Sequence, residues 1–319
     1  MSTTSTSTGT YLPWTRGSQA LLPDGMRLGP VRLAVTDLDR AVDFYTRVIG
    51  LTVAARGREA TPDGAHGVVY DVAHLSAGGE DVVVLQAEPG ARPAGGKQAR
   101  HAGLYHVALN YPTRLELARV LRRIAQAGTR IGASDHATHE AIYLSDPDGN
   151  GLELAWDTPR ERWPETLEEY MRVGRNPLDF DGLQALTADE PLVARAAPGL
   201  RVGHLHLYVG DVARGRDFYV GLLGLELQFD AGTAAFTSAG GYHHHLGFNT
   251  WRGEGVPPAP ADLVGLREWR IYLPTAGDVE AARGRLAAGG APVTAAGPDA
   301  FTTADPWGIP LRVGVDPAR

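Results

Sequence analysis

Histidine and glutamate side chains occur at several points where the sequence reads as a β-strand, and such side chains can bind a transition metal. His106 lies within the run Leu104–Leu109, His204 begins a second alternating run, and Glu153 lies between two leucines in a third. The sequence has no cysteine, so a metal site would use His, Asp or Glu. Taken singly, each residue is more typical of a buried polar group or a surface ion pair than of a ligand.

The stretch from Ala133 to Trp156 adds further groups that could act on a substrate. His136 and Tyr143 precede Glu153 by 17 and 10 residues. Because side chains alternate along a strand, Glu153 faces away from its flanking leucines and can point into a cavity. The strand begins after a dense turn signal, Asp146-Pro147-Asp148-Gly149-Asn150-Gly151.

Three consecutive histidines, His243-His244-His245, are predicted to lie on a strand that continues toward Asn249. Strand alternation then puts His244 opposite its two neighbours, so one side of the run faces any cavity. His206 shares a face with His204 and can line the same cavity or replace a ligand. Asn249 is a candidate substrate contact. The following histidines are interpreted as loop or surface residues: His66, His74, His101 and His139.

Two kinds of repeated unit organise the chain. Residues 31–51 and 204–225 carry nine identical residues at an offset of 174. In each copy an alternating strand is followed by an aspartate that can cap a helix, and the helix ends near a glycine. A weaker pair relates residues 104–124 to 268–286, and both are followed by similar Asp-Pro turns.

The chain therefore divides into four units of a strand, a helix and further strands. We predict a disordered tail at 1–28, an N-terminal domain at 29–157, a linker at 158–200 and a C-terminal domain at 201–315. Units of about 55 residues are marginally stable alone, so we expect them to pair into shared cores. The four units are 29–90, 101–157, 201–252 and 266–315.

Composition excludes several classes of function. The 319 residues carry a formal charge of −7 and no basic patch, which argues against nucleic acid or a membrane surface as partner. There is no apolar run of ~18 residues that would span a membrane. The Ser/Thr-rich N-terminus lacks the pattern of a secretion signal, so we expect a cytoplasmic protein.

This plan resembles the vicinal oxygen chelate superfamily, which includes glyoxalase I, bleomycin-resistance proteins and type I extradiol dioxygenases. The segments GLYHVAL, DHATHEAIYLSDPDGNGLEL and SAGGYHHHLGFNTW together are similar to catechol 2,3-dioxygenases of the kind found in bacilli. The resemblance implies an α+β fold in which four βαβββ modules pair into two curved-sheet half-barrels. It also implies cleavage of catechol- or hydroquinone-like rings with O2, and possible assembly into homo-oligomers.

The resemblance assigns roles to the residues above. Fe(II), or alternatively Mn(II), would be bound by His106, Glu153 and His204. His244 would accept and return protons, with His245 as the alternative, and Tyr143 and His136 would hold a substrate oxygen. The predicted substrate contacts are His245, His206 and Asn249.

The sequence departs from the better-known extradiol enzymes, whose ligands come from units three and four. Unit four has Glu268 and Arg312 at those positions, and unit one has Pro30 or Val31 where a histidine is needed. Pairing units two and three unites the predicted ligands. We therefore predict that the middle units face each other, and that units one and four form a second cleft without metal.

Two other functions remain open at this stage. One is a glyoxalase-type isomerase or lyase, although that class usually has two carboxylates among its ligands. The other is a binding protein that sequesters a drug or an aromatic metabolite without redox chemistry.

Overall fold

The computed structural model describes residues 21–60, 68–95 and 98–318, which form two curved mixed sheets and six α-helices. This confirms the predicted α+β architecture. The strands are, in chain order, β1 (Arg27–Leu28), β2 (Val31–Val35), β3 (Thr52–Ala60), β4 (Val69–Ser76), β5 (Asp81–Ala87), β6 (Gly103–Asn110), β7 (Gly132–Asp135), β8 (His139–Ser145), β9 (Gly151–Asp157), β10 (Arg201–Tyr208), β11 (Glu226–Asp230), β12 (Ala234–Ser238), β13 (Leu246–Asn249), β14 (Leu266–Leu273), β15 (Val293–Ala295), β16 (Ala300–Ala304) and β17 (Pro310–Val315). The helices are α1 (Leu38–Phe44), α2 (Arg114–Ala127), α3 (Leu167–Val173), α4 (Phe180–Ala185), α5 (Val212–Arg216) and α6 (Ala276–Ala288).

Each sheet joins two of the four repeated units. Units two and three form the sheet with strand order β11-β12-β13-β10-β6-β9-β8-β7, here called the inner-unit sheet. Units one and four form the outer-unit sheet, with order β15-β16-β17-β14-β2-β5-β4-β3 and β1 beside β14. The predicted pairing of the middle units is therefore confirmed.

At the centre of each sheet, two strands from different units run antiparallel. In the inner-unit sheet β10 lies beside β6, with His206 opposite His106. In the outer-unit sheet β14 lies beside β2, with Glu268 opposite Arg32. The residues that alternate with these on β6 and β10 are apolar and fully buried in the core: Val107, Leu109, Leu205 and Leu207.

Helix–turn contacts hold consecutive units together although their strands belong to different sheets. The Tyr45 hydroxyl, just after α1, donates to Asp146 over 3.3 Å, and the Tyr219 hydroxyl donates to Asp305 over 2.8 Å. These carboxylates belong to the two Asp-Pro turns recognised in the sequence. The predicted helix caps are confirmed, because the aspartates before α1 and α5 accept backbone N–H groups of the first turn: Asp37 and Asp211.

Part of the predicted tail is packed against the protein. Residues 1–20 lie outside the described residues, but Leu22 and Met26 are buried and β1 pairs with β14. Their apolar side chains join the core, so the last residues of the predicted tail are not disordered. No helix in the described ranges is long and apolar enough to cross a membrane.

Candidate metal centre

His106, Glu153 and His204 lie on three adjacent strands of the inner-unit sheet, where β6 runs between β9 and β10. Glu153 Oε2 is 2.9 Å from His106 Nε2 and 3.1 Å from His204 Nε2. The three residues are 5%, 1% and 2% exposed, respectively. The predicted ligands therefore converge on one buried point.

The donor atoms of this cluster fit a metal ion. Among the described residues, His106, Glu153 and His204 form a group whose ligand atoms all lie within 4.8 Å of one another. Both ring nitrogens of His106 are buried and have no hydrogen-bond partner in the described part of the chain, since the angle to the nearby carboxylate does not suit a hydrogen bond. Each unpaired buried polar atom costs roughly 1–3 kcal/mol, and an ion would provide a partner. Two imidazoles and one carboxylate suit a transition metal with open positions.

Burial and neighbouring groups set the protonation of the cluster. Burial alone would raise the pKa of Glu153, but His204 and His106 hold that pKa well below its usual range. Burial lowers the pKa of His204, against the opposing effect of Glu153. A metal ion binds such groups as an ionised carboxylate and neutral imidazoles, so it would compete with protons for this cluster.

His139 is close to this cluster, so its interpretation as a loop or surface residue is wrong. It begins β8, is 3% exposed, and its Nε2 lies 3.0 Å from Glu153 Oε1. On β8 it shares a face with Tyr143, which lies opposite Glu153 on β9. The four-residue spacing from His139 to Tyr143 is the signal that could have identified it.

Tyr143 and His136 form a hydrogen-bonded pair beside the cluster. The Tyr143 hydroxyl is 2.8 Å from His136 Nε2, and His136 Nδ1 is 3.1 Å from the Gly174 carbonyl oxygen. Because a carbonyl only accepts, Nδ1 carries the ring proton and Nε2 accepts from the tyrosine. Burial lowers the pKa of His136 to about 4. Burial and the charge of Glu153 raise the pKa of Tyr143 well above its usual value.

The histidine run precedes its strand, so the prediction that it lies on a strand is wrong. Strand β13 begins only at Leu246. Gly240 and Gly241 have φ values of 61° and 64°, a conformation that glycine adopts far more readily than other residues. The run is therefore free of strand alternation, and His243 and His244 can face the same side.

His243 and His244 connect the cluster to a buried carboxylate. His243 Nε2 lies 3.2 Å from Asp157 Oδ1, and its Nδ1 lies 2.9 Å from His244 Nδ1. A carboxylate only accepts, so His243 donates from Nε2 and accepts at Nδ1. His244 must then donate from Nδ1, which leaves its Nε2 able to accept a proton. The rings of His244 and His204 are 4.1 Å apart, and burial lowers the pKa of His244 well below its usual value.

The predicted substrate contacts have different surroundings. His206 lies beside His106, with 5.3 Å between ring centroids, and its Nε2 accepts the Asn249 amide over 2.8 Å. Asn249 also accepts a backbone N–H at its oxygen, so both ends of its amide are engaged. His245 Nδ1 accepts a backbone N–H of the preceding turn over 3.2 Å. Contact of these three residues with substrate stays a prediction.

The predicted linker at 158–200 also contributes to the site, and its contribution was not predicted from the sequence. Gly174 binds His136 through its carbonyl, and the Trp163 ring lies 5.1 Å from that of His243. A Cβ at Gly174 would come within 2.7 Å of the Tyr170 carbonyl oxygen, so this close turn requires glycine. The composition of the linker gave no signal of these contacts, because they join positions distant in sequence.

A cavity of 1210 Å³ reaches the metal centre at His106 and Tyr143. Its wall includes Tyr105, whose ring lies 4.6 Å from His106 and 4.9 Å from Tyr208. The Arg252 guanidinium lies 4.0 Å from the centre of the Tyr208 ring. This aromatic wall and the volume suit a small aromatic ligand.

The outer-unit sheet holds charged side chains at the matching positions. Glu268 is 1% exposed and accepts from Arg270 over 2.5 Å. Arg32 donates to Gln86 over 3.3 Å and pairs with Glu59. The register at the sheet centre and the repeated turns give these matches between the outer-unit and inner-unit sheets: Glu268 and His106, Arg312 and Glu153, Arg32 and His206.

His74, interpreted from the sequence as a loop or surface residue, is a partly exposed strand residue of this charged network. It lies on β4, with Nε2 2.9 Å from Glu59 and Nδ1 2.6 Å from Asp81. His101 lies in a loop, as expected. His66 lies outside the described residues.

Four strand–helix–strand units in two curved sheets, with a buried His–Glu–His cluster in one of them, define a vicinal oxygen chelate fold. The chain belongs to the Glyoxalase/Bleomycin resistance protein/Dioxygenase superfamily, whose family model matches residues 27–154 and 201–312. The predicted membership is therefore confirmed.

Individual relatives agree with this family. The chain is 35% identical over 250 residues to a protein of Bacillus subtilis strain 168 named catechol-2,3-dioxygenase, covering 77% of this chain and 82% of that protein. A crystal structure of a proposed dioxygenase from the same species matches 93% of this chain and 87% of its own, with a TM-score of 0.61 and 14% identity. Glyoxalase I from Zea mays matches 91% of this chain and 92% of its own, with a TM-score of 0.52 and 18% identity. At these identities the two structures establish a common fold.

Proposed function

We propose that this protein is an Fe(II)-dependent extradiol dioxygenase that opens a catechol- or hydroquinone-like ring with O2. The observation that carries the proposal is the convergence of His106, Glu153 and His204, where His106 has no hydrogen-bond partner among the described residues and borders a cavity whose wall includes Tyr105 and Tyr208. The bacillary relative named catechol-2,3-dioxygenase supports the same activity. Mn(II) is the alternative metal, because the same donors accept it.

When bound, the ion would supply a Lewis-acidic, redox-active centre with open positions for substrate and O2. The chain supplies the rest of the chemistry. Tyr105 and Tyr208 in the cavity wall would pack against the substrate ring. The Tyr143 hydroxyl donates its hydrogen bond to His136 Nε2, so its oxygen can accept a hydrogen bond from a substrate hydroxyl.

His244 is the proton acceptor in this proposal. Its Nδ1–H is held by His243, which is in turn held by Asp157. Burial alone would raise the pKa of Asp157. Hydrogen bonds from His243 and Tyr242 stabilise its ionised form and hold that pKa below its usual range. His244 therefore presents a neutral Nε2 that can take a substrate proton and return it when the O–O bond breaks.

Oxygen uptake tests this function directly. Protein reconstituted anaerobically with Fe(II) and mixed with catechol in air should consume O2 and form a yellow ring-fission product. A Glu153→Gln variant, which keeps the shape of the side chain and removes its charge, is the matched control. Absence of oxygen uptake and colour across a panel of substituted catechols and hydroquinones would reject the proposal.

The alternatives predict other outcomes. A glyoxalase-type isomerase would act on a thiol adduct of an aldehyde without O2, although the ligand group holds one carboxylate rather than two. A sequestering protein would bind aromatic compounds equally well with and without metal. A cytoplasmic location, assembly into homo-oligomers and the absence of nucleic acid or membrane partners stay predictions.

A further inference from the structure

We propose that His139 is a positioning residue for the metal centre, holding one oxygen of Glu153 so that the carboxylate binds an ion through its other oxygen alone. The inference rests on the metal site of the proposed function, but not on ring cleavage itself.

The two oxygens of Glu153 face different partners. Oε2 lies 2.9 Å from His106 Nε2 and 3.1 Å from His204 Nε2, whereas Oε1 lies 3.0 Å from His139 Nε2. The angle at Oε1 is outside the usual hydrogen-bond range, so full alignment needs a small rotation of the ring or the carboxylate. Oε2 therefore faces the shared ligand point, while Oε1 faces away from it toward His139.

The surroundings of His139 fix both its proton and its orientation. Its Nδ1 lies 2.9 Å from the Thr138 hydroxyl, which can donate to a bare ring nitrogen. Oε1 of an ionised carboxylate only accepts, so the ring proton belongs on Nε2, toward Glu153. The ring is stacked between those of His136 and His243, each with its centroid 4.8 Å away and interplanar angles of 26° and 13°. Stacking against these two rings restricts rotation of the His139 imidazole toward the ion.

The geometry favours a positioning role over a role as a fourth ligand. His139 is outside the group whose ligand atoms all lie within 4.8 Å of one another. Three ligand atoms leave three positions of an octahedral ion open, which is the number that a chelating diol and O2 require. A Glu153 that bound through both oxygens would occupy one of those positions. Partners that orient a metal ligand typically change metal affinity by about 10–100-fold when removed.

Two variants separate these roles. His139→Phe keeps a flat ring in the stack and removes the donor, while His139→Gln restores an N–H that can reach Oε1. His74→Phe is the matched control, because His74 also contacts carboxylates, but in the outer-unit sheet. The probe is Co(II) added to metal-free protein, with its dissociation constant measured by chelator competition and its visible spectrum recorded.

We expect His139→Phe to weaken Co(II) binding about 10–100-fold and to change the shape of the visible bands, because the second oxygen of Glu153 becomes free to bind. His139→Gln should recover most of the affinity and the native spectrum, and His74→Phe should match the unaltered protein. Circular dichroism and thermal unfolding verify that each variant is folded.

Three results would overturn the inference. His139→Phe with native affinity and spectrum would remove any role at the metal. Loss of binding in both His139 variants as complete as in Glu153→Ala would make His139 a ligand. Equal weakening in both variants without a spectral change would make its role purely structural. Native Co(II) binding without oxygen uptake by the Fe(II) protein would reject the dioxygenase proposal and leave this inference standing.

Discussion

The inner-unit and outer-unit sheets have the same plan of strands, yet they differ in what lies at the junction of their central strands. The inner-unit sheet places His106 opposite His206, whereas the outer-unit sheet places Glu268 opposite Arg32. Glu268 and Arg32 each have an ion-pair partner, but neither ring nitrogen of His106 has a hydrogen-bond partner. Both junctions keep buried atoms without a hydrogen-bond partner among the described residues, Arg32 Nε and Glu268 Oε2 included. They differ in the groups present, because the outer junction pairs carboxylates with guanidinium groups, whereas the inner one sets imidazoles around a single carboxylate.

This difference shows how one fold can hold a candidate metal site in one sheet and a structural ion-pair network in the other. Arginine stays charged at all relevant pH values, so it can neutralise a buried carboxylate permanently. Neutral imidazole cannot do this and instead offers a lone pair to an ion. Arginine and glutamate at the positions of histidine thus make the outer junction one of paired charges rather than one of metal-binding donors.

The largest contrast should come from removing one carboxylate in each sheet. Glu153→Gln should reduce bound metal to the level of a buffer control, because the cluster loses its charged ligand. Glu268→Gln in the outer-unit sheet should leave the metal content unchanged. Elemental analysis after reconstitution and desalting measures both. Equal metal loss in the two variants would contradict the assignment of the site to one sheet.

The next largest effect should come from replacing His244, the proposed proton acceptor. His244→Ala should lower kcat about 10²–10⁴-fold with little change in bound metal, because general acid–base groups typically contribute that much. In the outer-unit sheet, Asp81 precedes Val83 by two residues, as His244 precedes the matching Leu246 by two. Asp81→Ala should therefore change stability but not kcat. Steady-state kinetics with metal content measured on the same samples tests the pair. An unchanged kcat in His244→Ala would mean that another residue accepts the substrate proton.

Removing a charge from the outer-unit network should affect folding rather than chemistry. Glu268→Ala leaves Arg270 in a largely buried environment without its carboxylate. Breaking a fully buried pair from one side typically lowers the free energy of unfolding by about 3–5 kcal/mol, and because the Arg270 side chain is 25% exposed we expect a loss of about 1–3 kcal/mol. Chemical denaturation measures the loss. A Glu268→Ala variant with unchanged stability would show that this junction does not depend on its ion pairs.

Acid should weaken the metal-free inner-unit sheet first. Burial lowers the pKa of His136 to about 4 and that of His243 to about 3, against an unfolded value of 6.5. Stability from these neutral rings is therefore complete above pH 6.5 and is lost as the pH falls toward 4. The loss should reach roughly 3 kcal/mol for each ring at pH 4, since one pKa unit corresponds to about 1.4 kcal/mol.

The outer-unit sheet should behave differently in the same range. Its Glu59 has a pKa below the usual 4.5, as its bond to Arg32 outweighs the effect of burial, so its contribution declines only at lower pH. Hydrogen exchange of metal-free protein at pH 7 and pH 5 compares the sheets by peptide. Equal loss of protection in the two sheets would contradict the prediction that acid weakens the inner-unit sheet first.

The unit pairing and the convergence of His106, Glu153 and His204 could be predicted from the sequence. Strand alternation and internal repeats can be read directly from it, and the folded chain keeps both. It failed where local conformation overrode the pattern. Gly240 and Gly241 turn the chain ahead of β13, so alternation does not apply to the histidines that follow. Other contributions, such as the Gly174 carbonyl on His136, join the linker to a strand and depend on tertiary contacts that no local pattern encodes.

The smallest expected effect concerns the Tyr143 hydroxyl. Tyr143→Phe removes one hydrogen bond to His136 Nε2 and one possible contact to substrate, while the ring keeps its place beside His106. A single hydrogen bond is worth about 1 kcal/mol, so kcat/KM should fall about tenfold or less and metal content should stay native. His136→Ala should produce a similar decrease, and the double variant should lose less than the product of the two, because both substitutions break the same bond. Fully multiplicative losses in steady-state kinetics would mean that Tyr143 and His136 act on the substrate independently, and that their 2.8 Å contact does not contribute to function.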